Sequence, residues 1–302
     1  LSKYPAPAKT PGAFTVEKSD SLLKVSSPEG EIVFSHTTGT IVSWKKNGRE
    51  MLAGGPLPNF RRPPTDNDIG NGMPKRCKTW FDASATRTLS GRETNVEPGG
   101  ALTVTYHYLF PDSSATGSIR YRVESGNRVE VTATFEPMRE KLPELLRFGI
   151  NLQVDHAFQT TTWYGRGPWE NYSDRRSASF IGKYASETDS LFTPYVRPQE
   201  NGYRTDVRTL EFTNDQNTVL RFTGDPIFCF SALPYAYKEL AGFIQGGRHL
   251  HDLTRAGYID VNIDLGQTGV GGDDSWGARP HLPYTLQPEK RSFRFSMELF
   301  SR

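Results

Sequence analysis

Apolar and polar residues alternate with a period of two along most of this chain. Six runs show this alternation, over residues 102–108, 119–123, 129–135, 152–158, 259–265 and 293–299. Successive side chains of a β-strand point to opposite faces, so a period of two is typical of half-buried strands. Turn-forming sequences such as Asn47-Gly48 separate the runs. The pattern predicts an all-β protein with many strands and one brief helix, over 235–244.

The composition agrees with this prediction and narrows the range of partners. The 302 residues include 28 Gly and 21 Pro, which favour strands and turns over long helices. Lys and Arg number 36 against 34 Asp and Glu, a net charge of +2, and no basic cluster breaks the balance. No run of about 18 apolar residues occurs. We therefore expect neither a nucleic acid nor a membrane as a partner.

The start of the chain differs in composition from the rest. Residues 1–14 include Pro5, Pro7 and Pro11 among small and polar residues, and the chain does not begin with Met. Such a segment is typical of an extended linker. We expect 1–14 to be an arm that follows an upstream domain, and 15–302 to be one β domain.

Metal and nucleophile chemistry receive little support. The two cysteines, Cys77 and Cys229, are too few for a disulfide framework or a cysteine zinc site. The six histidines are dispersed apart from His249 and His251. The strained serine turn G-x-S-x-G is absent from the sequence. We predict no metal site in this chain.

Polar and aromatic residues concentrate in four connecting stretches, over 59–70, 163–175, 195–202 and 269–277. Loops on a rigid β scaffold are common places for binding sites. In the last stretch three glycines precede Asp273 and Asp274, and Trp276 follows. Carboxylates accept hydrogen bonds from hydroxyl groups, and an indole covers an apolar sugar face, so this loop suits a polyhydroxylated ligand. The alternative is an ordinary turn with a buried tryptophan and two solvated carboxylates.

Paired carboxylates leave a second question open. The candidates for a general acid and base are Asp66, Asp68, Asp273, Asp274, Glu170 and Glu200. Glycosidase pairs are defined by their separation in space, which the sequence does not give. The alternative is a scaffold in which Glu170 and Asp174 bond the neighbouring arginines. We expect Glu170 and Glu200 to belong to such a scaffold.

The four stretches also carry a family resemblance. They read N-F-x-R-x-P-x-D-N-D-I-G, W-Y-G-R-G-P-x-E-N-Y-x-D-R, Y-x-x-P-x-E-N-G and G-x-G-G-D-D-S-W, in this order. From about residue 15 to the end, the chain closely resembles the C-terminal domain of the large bacterial β-galactosidases of glycoside hydrolase family 2. Four ordered motifs are far more specific than any one of them.

The resemblance implies a fold and indicates which part of the full-length enzyme carries the catalytic residues. The fold would be the large antiparallel β-supersandwich shared with galactose mutarotases. The full-length enzyme would hydrolyse terminal β-galactosides such as lactose, with its catalytic glutamates and its Mg and Na sites in upstream parts. This chain would then contain no catalytic residue and no cofactor. Its partners would be the upstream catalytic barrel and the galactoside, and the full-length enzyme would be a homo-oligomer.

The resemblance also implies roles for individual residues. Trp276 matches a tryptophan that stacks on the sugar at the mouth of the barrel, and Gly70 matches the start of a mobile loop beside the pocket. The predicted substrate-binding residues are Asp66, Asn67, Asp68, Gly70, Asp273, Asp274 and Trp276. The sequence departs from the family after Gly70, where it reads Asn71-Gly72-Met73-Pro74. We expect the Trp276 indole to be exposed in this chain alone, because its opposite wall would come from the barrel.

Two further functions remain as alternatives. One is a free-standing mutarotase or epimerase, which would need a carboxylate beside a histidine such as His156 or His249. The other is a non-catalytic carbohydrate-binding module.

Overall fold

Antiparallel β-strands form nearly the whole of the fold. The computed structural model describes residues 14–241, 248–274 and 276–302. Within these ranges the strands form one sheet of five and one of twelve. Every pairing between strands in the two sheets is antiparallel. The all-β prediction is confirmed.

The five-stranded sheet comes first in the chain. Its strands, in spatial order, are β1 (Thr15–Lys18), β2 (Leu22–Ser27), β3 (Gly30–Ser35), β4 (Thr40–Lys46) and β5 (Arg49–Glu50). Leu23 and Val25 of β2 are fully buried, and so are Ile32 and Phe34 of β3. This is the alternation that a sheet with one face on the core requires.

The twelve-stranded sheet contains the rest of the strands. They are β6 (Leu52–Asn59), β7 (Thr88–Val96), β8 (Leu102–Leu109), β9 (Ala115–Ser125), β10 (Arg128–Pro137), β11 (Arg147–Asp155), β12 (Thr160–Gly167), β13 (Phe180–Glu187), β14 (Arg204–Thr213), β15 (Thr218–Leu233), β16 (Tyr258–Gln267) and β17 (Arg291–Ser301). The main spatial order is β13-β12-β14-β15-β17-β10-β9-β8-β7. The long strand β15 pairs with β17 through 218–224 and with β16 through 229–233. Strand β16 continues the branch to β11 and then β6.

Close contacts hold the two sheets together. The rings of Phe34 and Tyr121 meet edge to face, with centroids 5.3 Å apart. The indole nitrogen of Trp44 donates to the carbonyl oxygen of Gly126 at 3.1 Å. Strand β6 passes so near β4 that a Cβ at Gly55 would lie 1.6 Å from the Ile41 oxygen. Only glycine fits at that crossing.

The predicted strand positions agree with the structure except at the ends of two runs. In the run over 259–265, Leu265 is exposed, because it lies at a β-bulge where the pairing with β11 skips from Asp264 to Gly266. In β16, Ile259, Val261 and Ile263 are buried in the core, as the period of two predicts. The run predicted over 152–158 is wrong beyond Asp155, where β11 ends. There the Asp155 carboxylate accepts a hydrogen bond from the Ala157 N–H at 2.7 Å, and the chain turns. A local side-chain bond therefore replaces strand pairing.

The helices were predicted only in part. Helix α4 (Tyr237–Leu240) lies inside the predicted segment 235–244, of which residues 242–244 are outside the described residues. Three helices occupy a stretch that we expected to be a connecting loop or its continuation: α1 (Asp66–Gly70), α2 (Met73–Arg76) and α3 (Lys78–Phe81). Short 3-10 turns add to these at Pro111–Ser113, Thr188–Leu191, Leu250–Asp252 and Leu282–Tyr284. Tertiary packing explains the third helix, because Trp80 is fully buried against Phe60 and Phe135.

The predicted arm over 1–14 lies outside the described residues except for Phe14. Among the helices that the structure describes, none has both the length and the apolar character needed to cross a membrane.

Candidate functional site

The first turn of α1 is fixed by its own side chains. Thr65 precedes the helix, and its hydroxyl oxygen accepts a hydrogen bond from the Asp68 N–H at 3.2 Å. The Asp68 carboxylate in turn accepts one from the Thr65 N–H at 2.8 Å. This reciprocal capping satisfies two helix-end donors and holds Asp66 and Asn67 on the first turn. Asp66 is exposed and Asn67 is half-buried.

A buried ion pair connects α1 to the glycine-rich stretch. Arg62 donates to both oxygens of Asp68, at 2.6 and 3.0 Å, and to the carbonyl oxygen of Gly269 at 3.0 Å. Burial opposes the charge on Arg62, but the nearby Asp68 and Glu200 carboxylates outweigh it and raise the pKa of the guanidinium. Both oxygens of Asp68 are bonded within the protein, and its side chain is buried. The structure therefore places this predicted site residue beneath the surface, where it positions α1.

The glycine-rich stretch is anchored on the second polar stretch as well. The Asp174 carboxylate accepts a hydrogen bond from the Gly271 N–H at 2.7 Å. A Cβ at Gly269 would lie 2.4 Å from the same carboxylate oxygen, so the close approach requires glycine there. The Asn67 amide donates to the Val270 oxygen at 3.4 Å. Two separate parts of the chain thus hold the base of this loop.

The third polar stretch, over 195–202, contacts the first stretch at Asp66. The Gln199 amide donates to the Asp66 carboxylate at 3.2 Å and accepts from the Asp66 N–H at 3.3 Å. A surface cleft at this place is lined by members of all four stretches, among them Asp66, Arg175, Gln199 and Val270. The structure therefore brings together the four stretches that the sequence singled out.

Glu170 connects the second and third stretches. Its carboxylate accepts hydrogen bonds from Arg175 at 2.7 Å, Thr193 at 2.9 Å and the Gly202 N–H at 2.7 Å, and a further one from the Tyr195 hydroxyl. A carboxylate with four donors has no free lone pair for proton transfer. These contacts are those of the scaffold that we expected for Glu170.

Glu200 lies in a buried cluster of charges. Its carboxylate is 3.2 Å from an Arg147 nitrogen, and Arg147 also pairs with Asp264 at 3.0 Å. Burial raises the pKa of Glu200 although Arg147 and Arg62 act to lower it. Burial likewise raises the pKa of Asp264 to about 7. The cluster holds the third stretch against β11 and β16, so Glu200 too has scaffold contacts.

The tip of the glycine-rich loop is organised by Asp274. One carboxylate oxygen of Asp274 accepts hydrogen bonds from the N–H groups of Trp276, Gly277 and Ala278, at 2.8, 3.1 and 3.1 Å. These three bonds lower the pKa of Asp274, so it is ionised near neutral pH. The turn that they form sets the direction in which the Trp276 backbone leaves the loop.

Trp276 presents its indole to solvent. Its side chain is 88% exposed, which confirms the exposure predicted for this chain alone. Gly277 lies beside the end of α1, since a Cβ there would be 3.6 Å from the Gly70 oxygen. Asp273 is also exposed and contacts His281 at 2.9 Å. The edge of the domain thus displays an aromatic face beside carboxylates, whereas contact between these groups and a sugar remains a prediction.

Several residues that build this edge were not predicted from the sequence. They are Arg62, Thr65, Arg147, Asp264, Gln199 and His281. One signal was available, because Thr65-x-x-Asp68 is a helix-capping sequence. The others depend on contacts between distant parts of the chain.

Cys77 and Cys229 are free thiols, and burial raises the pKa of each to about 12. Neither is a thiolate at neutral pH. Among the residues described, no group of three or more His, Cys, Asp or Glu side chains could hold a metal ion.

The sequence of the chain was compared with known families and proteins. The family described as beta galactosidase small chain matches residues 26–299. The chain belongs to this family. A beta-galactosidase from Priestia megaterium is 34% identical over 275 residues, which are 91% of this chain and 26% of that protein. Another, from Streptococcus thermophilus, is 30% identical over 93% of this chain and 27% of that protein. The chain therefore spans about a quarter of the length of these relatives.

Solved structures with related folds are more distant. A galactose mutarotase related enzyme from Lactobacillus acidophilus has a TM-score of 0.40 and 12% sequence identity, with 96% of this chain and 98% of that chain covered. Neither His156 nor His249, the histidines considered for a free-standing mutarotase, lines the cleft at Asp66.

Proposed function

We propose that this chain is the C-terminal domain of a larger β-galactosidase, which hydrolyses terminal β-galactosides such as lactose. The chain contributes one wall of the active site, and the catalytic glutamates lie in an upstream barrel. Family membership supports the proposal, as does the share of the relatives' length that the chain spans. The scaffold contacts of Glu170 and Glu200 support the absence of catalytic carboxylates from this chain.

The observation that carries the proposal is the exposed indole of Trp276 on an anchored loop. A large apolar side chain with 88% exposure buries surface only when a ligand or another domain covers it. Asp66, Asn67 and Asp273 would bind the hydroxyl groups of the sugar, because carboxylates accept hydrogen bonds and an amide both accepts and donates them. Gly70 lies where the α1 helix ends beside this loop, so it belongs to the same proposed site.

The assembly of the full-length enzyme is part of this proposal. We infer a homo-oligomer, since the outer strand β13 exposes Phe180 by 73% and Ile181 by 42%. The Mg and Na ions of the enzyme are proposed to bind outside this chain. Sedimentation of the full-length enzyme, with and without Phe180→Asp, tests the first point.

The proposed function is tested by assaying this chain without the upstream domains. The 302-residue chain, shown to be folded by circular dichroism, is assayed with a chromogenic β-galactoside and compared with the longer polypeptide that contains it. The proposal predicts hydrolysis only by the longer polypeptide. Turnover by the purified chain alone that disappears in Asp274→Asn or Glu170→Gln would contradict it.

A further inference from the structure

A cleft lies between the segment that follows α1 and the segment that follows the glycine-rich stretch. It has a volume of about 300 Å³ and opens to solvent, so a small organic molecule can enter it. Its lining includes Asn71, Met73 and Arg76 from the first segment and Arg279, Leu282 and Gln287 from the second. Of the residues predicted to bind substrate, Asp68 alone belongs to the lining.

Hydrogen bonds hold both segments in place. Arg76 donates to the Glu144 carboxylate at 2.9 Å and to the carbonyl oxygen of Asn71 at 2.9 Å. In the second segment, the Tyr284 carbonyl oxygen accepts a hydrogen bond from the Gly269 N–H at 2.8 Å. A ligand that enters a cleft with fixed walls does not have to order them, which favours binding.

The charges in the lining leave one cation without a partner. Arg76 pairs with Glu144 at 2.9 Å, and Asp68 pairs with the buried Arg62. Burial opposes the charge on Glu144, but the hydrogen bond from Arg76 and the charges of Arg76 and Arg279 outweigh it and lower the pKa of the carboxyl group. Glu144 is therefore ionised and balances Arg76. Arg279 itself is exposed and has no hydrogen bond or ion pair with any residue that the structure describes.

The cleft also offers neutral polar groups. The Asn71 side-chain oxygen accepts a bond from Arg76, whereas the amide nitrogen has no partner among the residues described. The Gln287 amide nitrogen donates to the Thr285 hydroxyl at 2.8 Å, and the amide oxygen is without a partner in the described part of the chain. An amide nitrogen donates hydrogen bonds and an amide oxygen accepts them, so the two groups together suit the hydroxyl groups of a ligand.

The unpaired guanidinium of Arg279 decides the charge of the ligand. A guanidinium binds a carboxylate through two parallel hydrogen bonds. One unpaired cation balances one carboxylate, whereas a dicarboxylate would keep a charge without compensation. An ammonium group on the ligand would lack a partner, because the carboxylates of Asp68 and Glu144 are already paired.

We infer that this cleft binds a small monocarboxylate with several hydroxyl groups, such as a uronic acid or another sugar acid. The Arg279 guanidinium would bind the carboxylate, and Asn71 and Gln287 would bind hydroxyl groups. The inference does not rest on the proposed function, because the argument for the Trp276 edge uses none of these three residues.

The binding is measured on the folded 302-residue chain by ligand-observed NMR titration. Galacturonate and gluconate are the probes, galactose lacks the carboxylate, and acetate lacks the hydroxyl groups. The inference predicts saturable binding of galacturonate or gluconate, and binding of galactose and acetate that is weaker by about tenfold or more, since each lacks one set of contacts. The absence of saturable binding of either sugar acid overturns the inference, and so does equal affinity for galactose or acetate.

Variants locate the site. Arg279→Gln removes the charge and should weaken binding of the sugar acid by about tenfold or more, the effect of losing hydrogen bonds to a charged group. The matched control is Arg139→Gln, because Arg139 is also exposed, has no hydrogen bond or ion pair within the described residues, and lies outside this lining. Both side chains are exposed, so both variants should keep the melting temperature of the unchanged chain. Unchanged affinity in Arg279→Gln, or an equal loss in both variants, overturns the inference.

Discussion

The guanidinium of Arg62 holds the carboxylate of Asp68 through two hydrogen bonds, of 2.6 and 3.0 Å, in the interior of the protein. The same guanidinium bonds the oxygen of Gly269 at 3.0 Å. One buried cation therefore sets the distance between α1 and the loop that carries Trp276. The position of the exposed edge at Trp276 therefore depends on the buried contact between Arg62 and Asp68.

This relationship predicts a large loss of stability in Asp68→Asn. Removal of one partner leaves the Arg62 charge buried without its main compensation, which costs about 3–5 kcal/mol. Urea denaturation followed by fluorescence measures the free energy of unfolding. The control is Asp215→Asn, at the exposed pair with Arg49 at 3.2 Å, for which we expect less than about 1 kcal/mol. Equal losses in the two variants would contradict the role of the buried pair.

The loop anchor predicts an effect of Gly269→Ala on substrate affinity. The new Cβ would lie 2.4 Å from the Asp174 oxygen, so the carboxylate must move and the bond to the Gly271 N–H is disturbed. If the displaced loop lowers the binding free energy of the substrate by about 1 kcal/mol, the affinity becomes about fivefold weaker. The change is measured as an increase in the KM of the longer enzyme. Gly257→Ala is the control, since a Cβ there meets nothing within 4 Å. An unchanged KM in Gly269→Ala would argue against the anchor.

The buried carboxylate of Asp264 predicts a pH dependence of stability. Burial raises its pKa from the ordinary 3.8 to about 7, against the charge of Arg147, while Glu200 adds to the increase. The folded state then binds more protons than the unfolded state between these values, so the free energy of unfolding falls as pH rises through this range. In Asp264→Asn this slope should be reduced.

Urea denaturation at several pH values measures the slope separately from the absolute stability. Asp274→Asn is the control, because the pKa of Asp274 is lowered and its contribution is lost only as pH falls. A slope in Asp264→Asn identical to that of the unchanged protein would exclude Asp264 as its source.

The sequence predicts those features that depend on neighbouring residues. The period of two in β16 places Ile259, Val261 and Ile263 in the core because alternate strand residues face the same side. The Asp155 turn ends β11 earlier than periodicity indicates, since a local hydrogen bond competes with strand pairing. Helix α3 depends on the burial of Trp80, which the local sequence does not specify.

The candidate site also contains some features that the sequence predicts and others that depend on contacts between distant residues. The order of the motifs identified the loops, and the family resemblance implied that Trp276 is exposed in this chain alone, as the structure shows. The buried pair of Arg147 and Asp264 joins residues more than a hundred positions apart, and only the sheet register brings them together. A sequence read along one dimension does not give such a contact.

The central claim is that Trp276 covers a sugar at the active site of a β-galactosidase. Covering one sugar face would remove about 60–100 Å² of apolar surface, or about 1.5–2.5 kcal/mol. The most direct test is the binding constant of a substrate or product sugar to the longer enzyme carrying Trp276→Ala, with Trp169→Ala as a control of the same type and 79% exposure. We predict that Trp276→Ala weakens binding about 10- to 70-fold with an unchanged melting temperature, and that Trp169→Ala does not. Unchanged sugar affinity in Trp276→Ala, or an equal loss in both variants, would contradict the claim.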